Sequence, residues 1–302
     1  MFTATRLTQA LFVAGATFLA GSAYAATTYA YAVATDNIRN GTVTPSSAGI
    51  TFGTPKSNSS SDASLNGVGV SHAAAGFKPD APVSSLGFPG RGNEKLIPPP
   101  PLTRYYFLDG MKGTDYAWGD AIVNEEQTAT KKIETRNAAE ANIALDGFAN
   151  SDGTNKSSTL VTVGVGCVGC TLSFAFEADP YIRAAVDSMA SSDSVARGTL
   201  GFQITLTNLS TGVTVFNWTP DGLNRTLTAF AGDDIKYSDS YAAGSFDFYG
   251  AITGALAPGR YTLSLYQNEK ADVLRAIPEP ETYALMLAGL GAMGFVARRR
   301  KS

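Results

Sequence analysis

The stretch TLGFQITLTNLSTGVTVFNW, residues 199–218, sets the fold class of this chain. Apolar side chains alternate with small or polar ones here, at Leu200, Phe202, Ile204 and Leu206. A period of two is typical of a half-buried β-strand. Residues 208–212 (NLSTG) have loop composition, and strand-forming types return over residues 213–218. The sequence therefore predicts a β-hairpin over residues 199–218.

The same alternation recurs on both sides of the hairpin. Over residues 171–177, Leu172, Phe174 and Phe176 face one way and polar side chains face the other. Further strands are expected at residues 105–108, 160–165, 225–230, 245–249 and 260–266. About 170 residues of short strands, with Gly, Asp and Asn between them, predict a mainly β fold. We expect an antiparallel β-sandwich of jelly-roll type over residues 103–276.

Residues 116–145 leave more than one structure open within this domain. The run Ala138-Ala139-Glu140-Ala141 favours helix. An edge strand or a long insertion is the alternative.

The segment before this domain has a different composition. Residues 41–101 hold nine of the fourteen prolines, together with SNSSS at residues 57–61 and four prolines at residues 98–101. With few large apolar side chains, such a segment cannot offset its chain entropy by burial. Over residues 26–102 we therefore expect a first strand at residues 27–43, followed by an irregular Gly/Ser/Pro-rich spacer that ends in a polyproline II rod.

The C-terminus has three consecutive parts. Pro278-Glu279-Pro280 comes first, then the apolar stretch YALMLAGLGAMGFVA at residues 283–297, then Arg298, Arg299, Arg300 and Lys301. Proline disfavours helix in the residue before it, so a helix begins only after Pro280. The uncharged apolar stretch predicts one short transmembrane helix, and the basic residues are expected to stay on the cytoplasmic side. The predicted helix is roughly 22 Å long, which is shorter than the roughly 30 Å hydrocarbon core of a membrane. This length suits temporary residence in the membrane.

This order of Pro-Glu-Pro, short apolar helix and basic tail resembles the PEP-CTERM sorting signal of Gram-negative bacterial surface proteins. The resemblance covers residues 277–302. It implies recognition and removal of the tail by exosortase, a membrane-embedded enzyme that resembles cysteine transpeptidases. An ordinary C-terminal membrane anchor is the alternative.

The N-terminus independently indicates export. Arg6 precedes a largely apolar stretch at residues 7–21, and Ala23-Tyr24-Ala25 matches the small-x-small pattern that signal peptidase cuts. We predict a signal peptide over residues 1–25. The chain is then exported, held transiently in the inner membrane by its C-terminal helix, and delivered to the cell surface or the extracellular space.

Processing at both ends makes the chain more acidic. The precursor has 23 basic and 26 acidic side chains. Removal of residues 1–25 and 277–302 leaves 18 against 24, a net charge of about −6. Nucleic acids require a basic patch, so we expect no nucleic-acid partner.

Cys167 and Cys170 are the two cysteines of the chain, separated by Val168-Gly169. Thioredoxin-like CxxC motifs begin a helix, whereas this pair lies between two predicted strands. A zinc site needs two more ligands, so no metal is expected. For an exported chain the sequence favours a local disulfide across a tight turn; a redox role and free thiols are the alternatives.

Other catalytic patterns are weak, and we expect no catalytic residue and no cofactor. The single histidine, His72, lies in the predicted spacer as a solvated loop residue, which makes Ser-His-Asp or Cys-His catalysis hard to build. Glycosidases need only two carboxylates. Candidate pairs are Glu177 with Asp179, and Asp233 with Asp234, although the latter follow Gly232 and fit a turn. Residues 152–155 (DGTN) offer oxygen ligands for calcium but also fit a turn.

Two classes of function follow. The first is a non-enzymatic surface or extracellular-matrix protein whose sandwich binds exopolysaccharide or other envelope components, with signal peptidase and exosortase as its processing partners. The second is a secreted carbohydrate-active enzyme or CxxC redox protein that carries the same tail.

Overall fold

The computed structural model describes residues 29–76, 79–81, 84–87, 115–126, 132–144, 150–237, 246–275, 287–291 and 293. Several predicted features lie outside these residues: the signal peptide with Ala23 and Ala25, the strand at 105–108, and the sorting residues Pro278, Glu279, Pro280, Arg298, Arg299 and Arg300.

Within the described residues the protein is mainly β. The strands are β1 (Ala30–Pro45), β2 (Ile50–Phe52), β3 (Lys56–Leu65), β4 (Val68–Gly76), β5 (Ser84–Leu86), β6 (Tyr116–Glu126), β7 (Lys132–Ile143), β8 (Asn150–Val165), β9 (Leu172–Ala178), β10 (Tyr181–Val186), β11 (Val195–Asn208), β12 (Thr214–Trp218), β13 (Arg225–Phe230), β14 (Asp234–Tyr237), β15 (Asp247–Ile252) and β16 (Gly259–Leu274). A 3₁₀ turn, Asp221–Leu223, separates β12 from β13.

These strands form two antiparallel sheets. Sheet A has the order β14-β10-β1-β7-β6-β5, with β9 also on β1 and β15 on β9. Sheet B has the order β12-β11-β16-β8-β3-β4, with β13 also on β11 and β2 on β8. The expectation of a mainly β, antiparallel fold is confirmed.

The hairpin predicted at residues 199–218 is present as β11 and β12. Ile204 pairs with Trp218 and Leu206 with Phe216, as the alternation requires. The Asn208 side chain accepts hydrogen bonds from the backbone N–H groups of Ser210 and Thr211, which closes the loop. β11 begins earlier than predicted, at Val195, because its first half pairs with β13.

The structure corrects the prediction of an irregular spacer for residues 50–76, where β2, β3 and β4 form. The predicted polyproline rod at residues 98–101 lies outside the described residues. β3 places Ser57, Ser59 and Ser61 inward. Ser57 Oγ lies 2.8 Å from Thr159 Oγ1, and Ser61 Oγ lies 3.0 Å from Ser84 Oγ. Asn66 and Gly67 join β3 to β4 with φ angles of 50° and 80°. Such Asn-Gly turns suit two-residue hairpins, and this signal was missed. Backbone pairing with β8 along Lys56–Leu65 holds this hairpin in sheet B, and three of its inward positions are serine.

Residues 116–126 and 132–143 form β6 and β7, so the helix favoured for the alanine run is not formed. β7 is also not an edge strand, because it lies between β1 and β6. Small residues are needed here for close approach of the sheets. A Cβ on Gly119 would lie 2.7 Å from the Thr154 carbonyl oxygen of sheet B.

The core between the sheets has two apolar parts. One is aromatic and aliphatic: Phe176 of sheet A packs on Phe202 and Trp218 of sheet B, with ring centroids 5.0 and 5.6 Å apart. The other is rich in alanine and includes Ala32 and Ala139 of sheet A with Ala196 and Ala271 of sheet B. Both sheets therefore contribute side chains to a shared core.

At the C-terminus, residues 287–291 and 293 are helical, within the predicted apolar helix at 283–297. Among the helical residues that the structure describes, none belongs to a helix long and apolar enough to cross a membrane.

Candidate functional site

A band of buried polar side chains lies between the two apolar parts of the core. We call it the inter-sheet polar band, and its members are Asp36 on β1, Thr135 and Asn137 on β7, Ser157 on β8, and Gln267 and Glu269 on β16. Asp36 and Asn137 are paired across neighbouring strands of sheet A. Gln267 and Ser157 are paired in the same way in sheet B. The band therefore faces inward from both sheets at one level of the sandwich.

Hydrogen bonds cross the band from one sheet to the other. Gln267 Nε2 donates to the backbone oxygen of Asp36 at 3.0 Å, and Thr135 Oγ1 donates to Gln267 Oε1. Asn137 Nδ2 donates to Ser157 Oγ at 3.1 Å. Because hydrogen bonds are directional, these contacts favour one alignment of the sheets, which apolar packing alone would specify less sharply.

The band contains two carboxyl groups with perturbed titration. Burial raises the pKa of Asp36 from 3.8 to about 8, and the negative charge of Asp179 adds to the increase. Burial and the nearby Asp36 raise the pKa of Glu269 well above its ordinary value, and the amides of Asn137 and Gln267 oppose the increase. Removing a carboxylate from water disfavours its charged form. Asp36 is therefore mostly protonated at neutral pH, and burial shifts the pKa of Glu269 in the same direction.

Asp36 and Glu269 are 1% and 0% exposed, so a polymeric substrate cannot contact them. Neither Asp36 nor Glu269 was among the candidate acids predicted from the sequence. The sequence does carry a signal for Glu269, because this residue continues the alternating inward series of Leu263 and Leu265 on β16. An acidic residue in phase with buried apolar residues indicates a buried carboxyl group.

Most acids of the two predicted carboxylate pairs contact other groups of the chain. Glu177 binds Arg39, with 2.7 Å between Oε2 and Nε, while Asp179 lies beyond the end of β9. Asp233 accepts a hydrogen bond from the Phe230 backbone N–H at 2.9 Å, within a turn. Asp234 opens β14, where hydrogen bonds from Arg183 lower the pKa of its carboxyl group. Three of these acids are therefore engaged in structural contacts.

Residues 152–155, expected as a calcium loop or a turn, instead lie in the first half of β8. Their backbone pairs with β3 on one side and β16 on the other. Asp152 lies 3.8 Å from the Lys270 ammonium group. Within the described ranges, no group of three or more His, Cys, Asp or Glu residues is arranged to hold a metal ion.

His72 is on β4 and is not the solvated loop residue that was expected. Its Nδ1 lies 2.9 Å from Ser84 Oγ, and Ser84 Oγ donates to the Ser61 carbonyl oxygen at 2.8 Å. Ser84 is completely buried. This histidine–serine contact therefore joins β4 to β5 and offers no accessible nucleophile.

The structure contains the predicted disulfide between Cys167 and Cys170, with 5.9 Å between the Cα atoms. The pair lies in the connection from β8 to β9, so no helix N-terminus activates a thiol here. Gly169 takes a φ of 74° in this turn, and its N–H donates to the Leu256 carbonyl oxygen at 3.0 Å. The disulfide thus closes a turn that also docks on the chain near Leu256.

Comparison with known families identifies the C-terminal segment. Residues 276–301 match the family model described as the PEP-CTERM protein-sorting motif. This is a mainly β protein with a PEP-CTERM sorting motif, and the motif begins two residues after β16 ends at Leu274. No curated protein matches the chain. No solved structure matches it either.

Proposed function

We propose that this is an exported, exosortase-processed protein of the cell surface or extracellular matrix, with a non-enzymatic β-sandwich that binds exopolysaccharide or other envelope components. The observation that carries the proposal is the PEP-CTERM motif at residues 276–301. The motif supports export and surface sorting, with exosortase as the processing partner. The signal peptide at residues 1–25, cut by signal peptidase after Ala25, belongs to the same proposal.

The position of β16 constrains where processing occurs. β16 pairs with β11 along one side and β8 along the other up to Leu274. Cleavage inside this strand would require two ladders of hydrogen bonds to open. We therefore place the cut between residue 275 and the apolar stretch that begins at 283, which leaves the sandwich whole.

The positions of four candidate acids support a non-enzymatic body. Asp36 and Glu269 are buried, while Glu177 and Asp234 are held by arginines. A glycosidase needs two accessible carboxyl groups roughly 5 to 10 Å apart. The cysteine pair forms a disulfide within a turn, which supports a structural role.

The test replaces Pro278, Glu279 and Pro280 with alanine in a strain that contains exosortase. We expect export to continue while the uncleaved chain accumulates in the inner membrane, as seen by fractionation and intact mass. Glu281→Ala, just beyond the triplet, is the matched control and should be processed normally. Unchanged surface delivery of the triple variant would contradict the proposal. N-terminal sequencing of the delivered chain should find Ala26.

A further inference from the structure

The outer face of sheet B carries a regular array of uncharged polar side chains. Three rows cross strands β12, β11, β16 and β8 in register. The first row is Thr214, Thr207, Thr262 and Thr162; the second is Asn217, Thr205, Ser264 and Leu160; the third lacks a β12 member and is Gln203, Tyr266 and Ser158. We call these eleven residues the hydroxyl face.

The hydroxyl face is exposed to different degrees but none of its side chains is buried. Tyr266 and Leu160 are 38% and 41% exposed and lie on adjacent central strands. The other members are threonine, serine, asparagine and glutamine. The face therefore combines one aromatic ring and one aliphatic side chain with closely spaced hydroxyl and amide groups.

The strands hold these groups in place before any ligand arrives. Thr207 Oγ1 lies 3.1 Å from Thr214 Oγ1, and Gln203 Nε2 donates to Asn217 Oδ1 at 2.9 Å. β11 and β16 are central strands with partners on both sides. Little side-chain entropy would be lost on binding, because the array is already ordered.

Charge is confined to the margins of the hydroxyl face. Arg260 precedes the first row on β16, Lys56 on β3 pairs with Leu160 at the edge of the second row, and Lys156 and Lys270 lie beyond the third row. An anionic polymer or nucleic acid requires basic groups at the contact itself. A stable protein interface usually has a core of several aromatic or large apolar anchors, and this face has two.

We propose that the hydroxyl face docks a neutral polysaccharide chain, with Tyr266 packed on a sugar ring. Hydroxyl and amide side chains both donate and accept hydrogen bonds, as the hydroxyls of a neutral polysaccharide do. The tyrosine ring supplies apolar contact for the C–H face of a sugar, and its hydroxyl remains available to water or ligand. This inference rests on the proposed function and assigns it a surface and a ligand class.

The test measures binding of the full chain, purified in detergent, to cellulose, amylose and dextran, with alginate as the anionic comparison. We expect binding to at least one neutral polysaccharide in preference to alginate. Tyr266→Ala should weaken that binding about tenfold, which corresponds to about 1.4 kcal/mol. Thr262→Val keeps the shape and removes one hydroxyl from the first row, and should weaken binding severalfold.

Phe248→Ala is the matched control, because Phe248 is a 73% exposed aromatic on β15 of sheet A. It should bind like the unaltered chain. Thermal unfolding of each variant separates lost binding from lost folding, and Thr262→Val decides the case if Tyr266→Ala unfolds.

Three results would overturn the inference. Neutral binding that survives both substitutions would place the glycan site elsewhere and leave the proposed function standing. Preference for alginate, or no neutral binding, would refute the ligand class. Self-association lost in Tyr266→Ala would make a second copy of the chain the occupant. Surface delivery of the Tyr266→Ala variant is measured separately and should remain normal. Whether that delivery depends on exosortase tests only the sorting part of the proposed function.

Discussion

Gln267 Nε2 donates a hydrogen bond to the backbone carbonyl oxygen of Asp36 across 3.0 Å, linking central strands of the two sheets. The two residues are 231 positions apart in the sequence. The contact brings the first described strand onto the last, so the sandwich is closed between β1 and β16. It also places the Asp36 carboxyl group where water cannot reach it.

Replacing Gln267 with Leu should destabilise the fold by about 2 kcal/mol, because buried partners lose hydrogen bonds. Leucine is similar in size to glutamine and fills the same space in the core. The loss of stability therefore reports mainly on the hydrogen bonds of the polar band. Urea unfolding of the full chain measures it. Asn268→Leu, on the outward side of the same strand, is the control and should change stability by less than about 0.5 kcal/mol. Equal effects of the two substitutions would contradict a special role for the band.

The titration of Asp36 makes stability depend on pH. The unfolded chain releases this proton near pH 4, whereas the folded chain keeps it until about pH 8. The unfolded state therefore binds fewer protons between these values, and the free energy of unfolding falls as pH rises through that window. Glu269, whose pKa is also raised, acts in the same direction.

Asp36→Asn should make this pH dependence shallower. The variant's gain in the free energy of unfolding over the unaltered chain should be larger at pH 8 than at pH 4, by an amount on the order of several kcal/mol. Urea unfolding at pH values from 4 to 9 measures the effect. Asp193→Asn, an exposed position in the turn before β11, should leave the pH profile unchanged. An unaltered slope in Asp36→Asn would show that Asp36 is not protonated in the folded state.

Gly153→Ala should destabilise the protein by about 2 to 3 kcal/mol, because the new methyl group overpacks the interface between the sheets. A Cβ at this position would lie 2.8 Å from the Glu140 carbonyl oxygen and also against that of Trp118. Gly254 has open space around a Cβ, so Gly254→Ala is the control. A thermal unfolding series that ranks the two variants alike would argue against close sheet packing at Gly153.

Replacing Cys167 and Cys170 together with Ser should cost at most about 2 kcal/mol, since the closed loop is very short. Surface delivery and glycan binding should be nearly unchanged. Intact mass before and after reduction and alkylation of the surface protein checks the oxidation state. Two free thiols in the delivered protein would refute the disulfide, and a thiol-dependent activity would point to the redox class.

The local sequence pattern was sufficient to predict several features of this chain. The hairpin at residues 199–218 follows from alternation within each strand and from a loop of five residues. The disulfide follows from two cysteines between strands, and the sorting motif from the order of its own residues. In each case the determining interactions lie between residues close together in sequence, so composition and spacing carry the information.

Tertiary structure alone decided which strands became central and what the core contains. The run at residues 138–141 has helical propensity, yet pairing with both β1 and β6 makes it part of a central strand. Ser57 and Ser61 of β3 are buried where the hydroxyl groups of Thr159 and Ser84, from other strands, meet them. Asp36 meets Gln267 only when the sheets pack, since partners 231 residues apart leave no mark on the local pattern of either strand. Burial, and with it the pKa of Asp36, is therefore a property of the assembled sandwich.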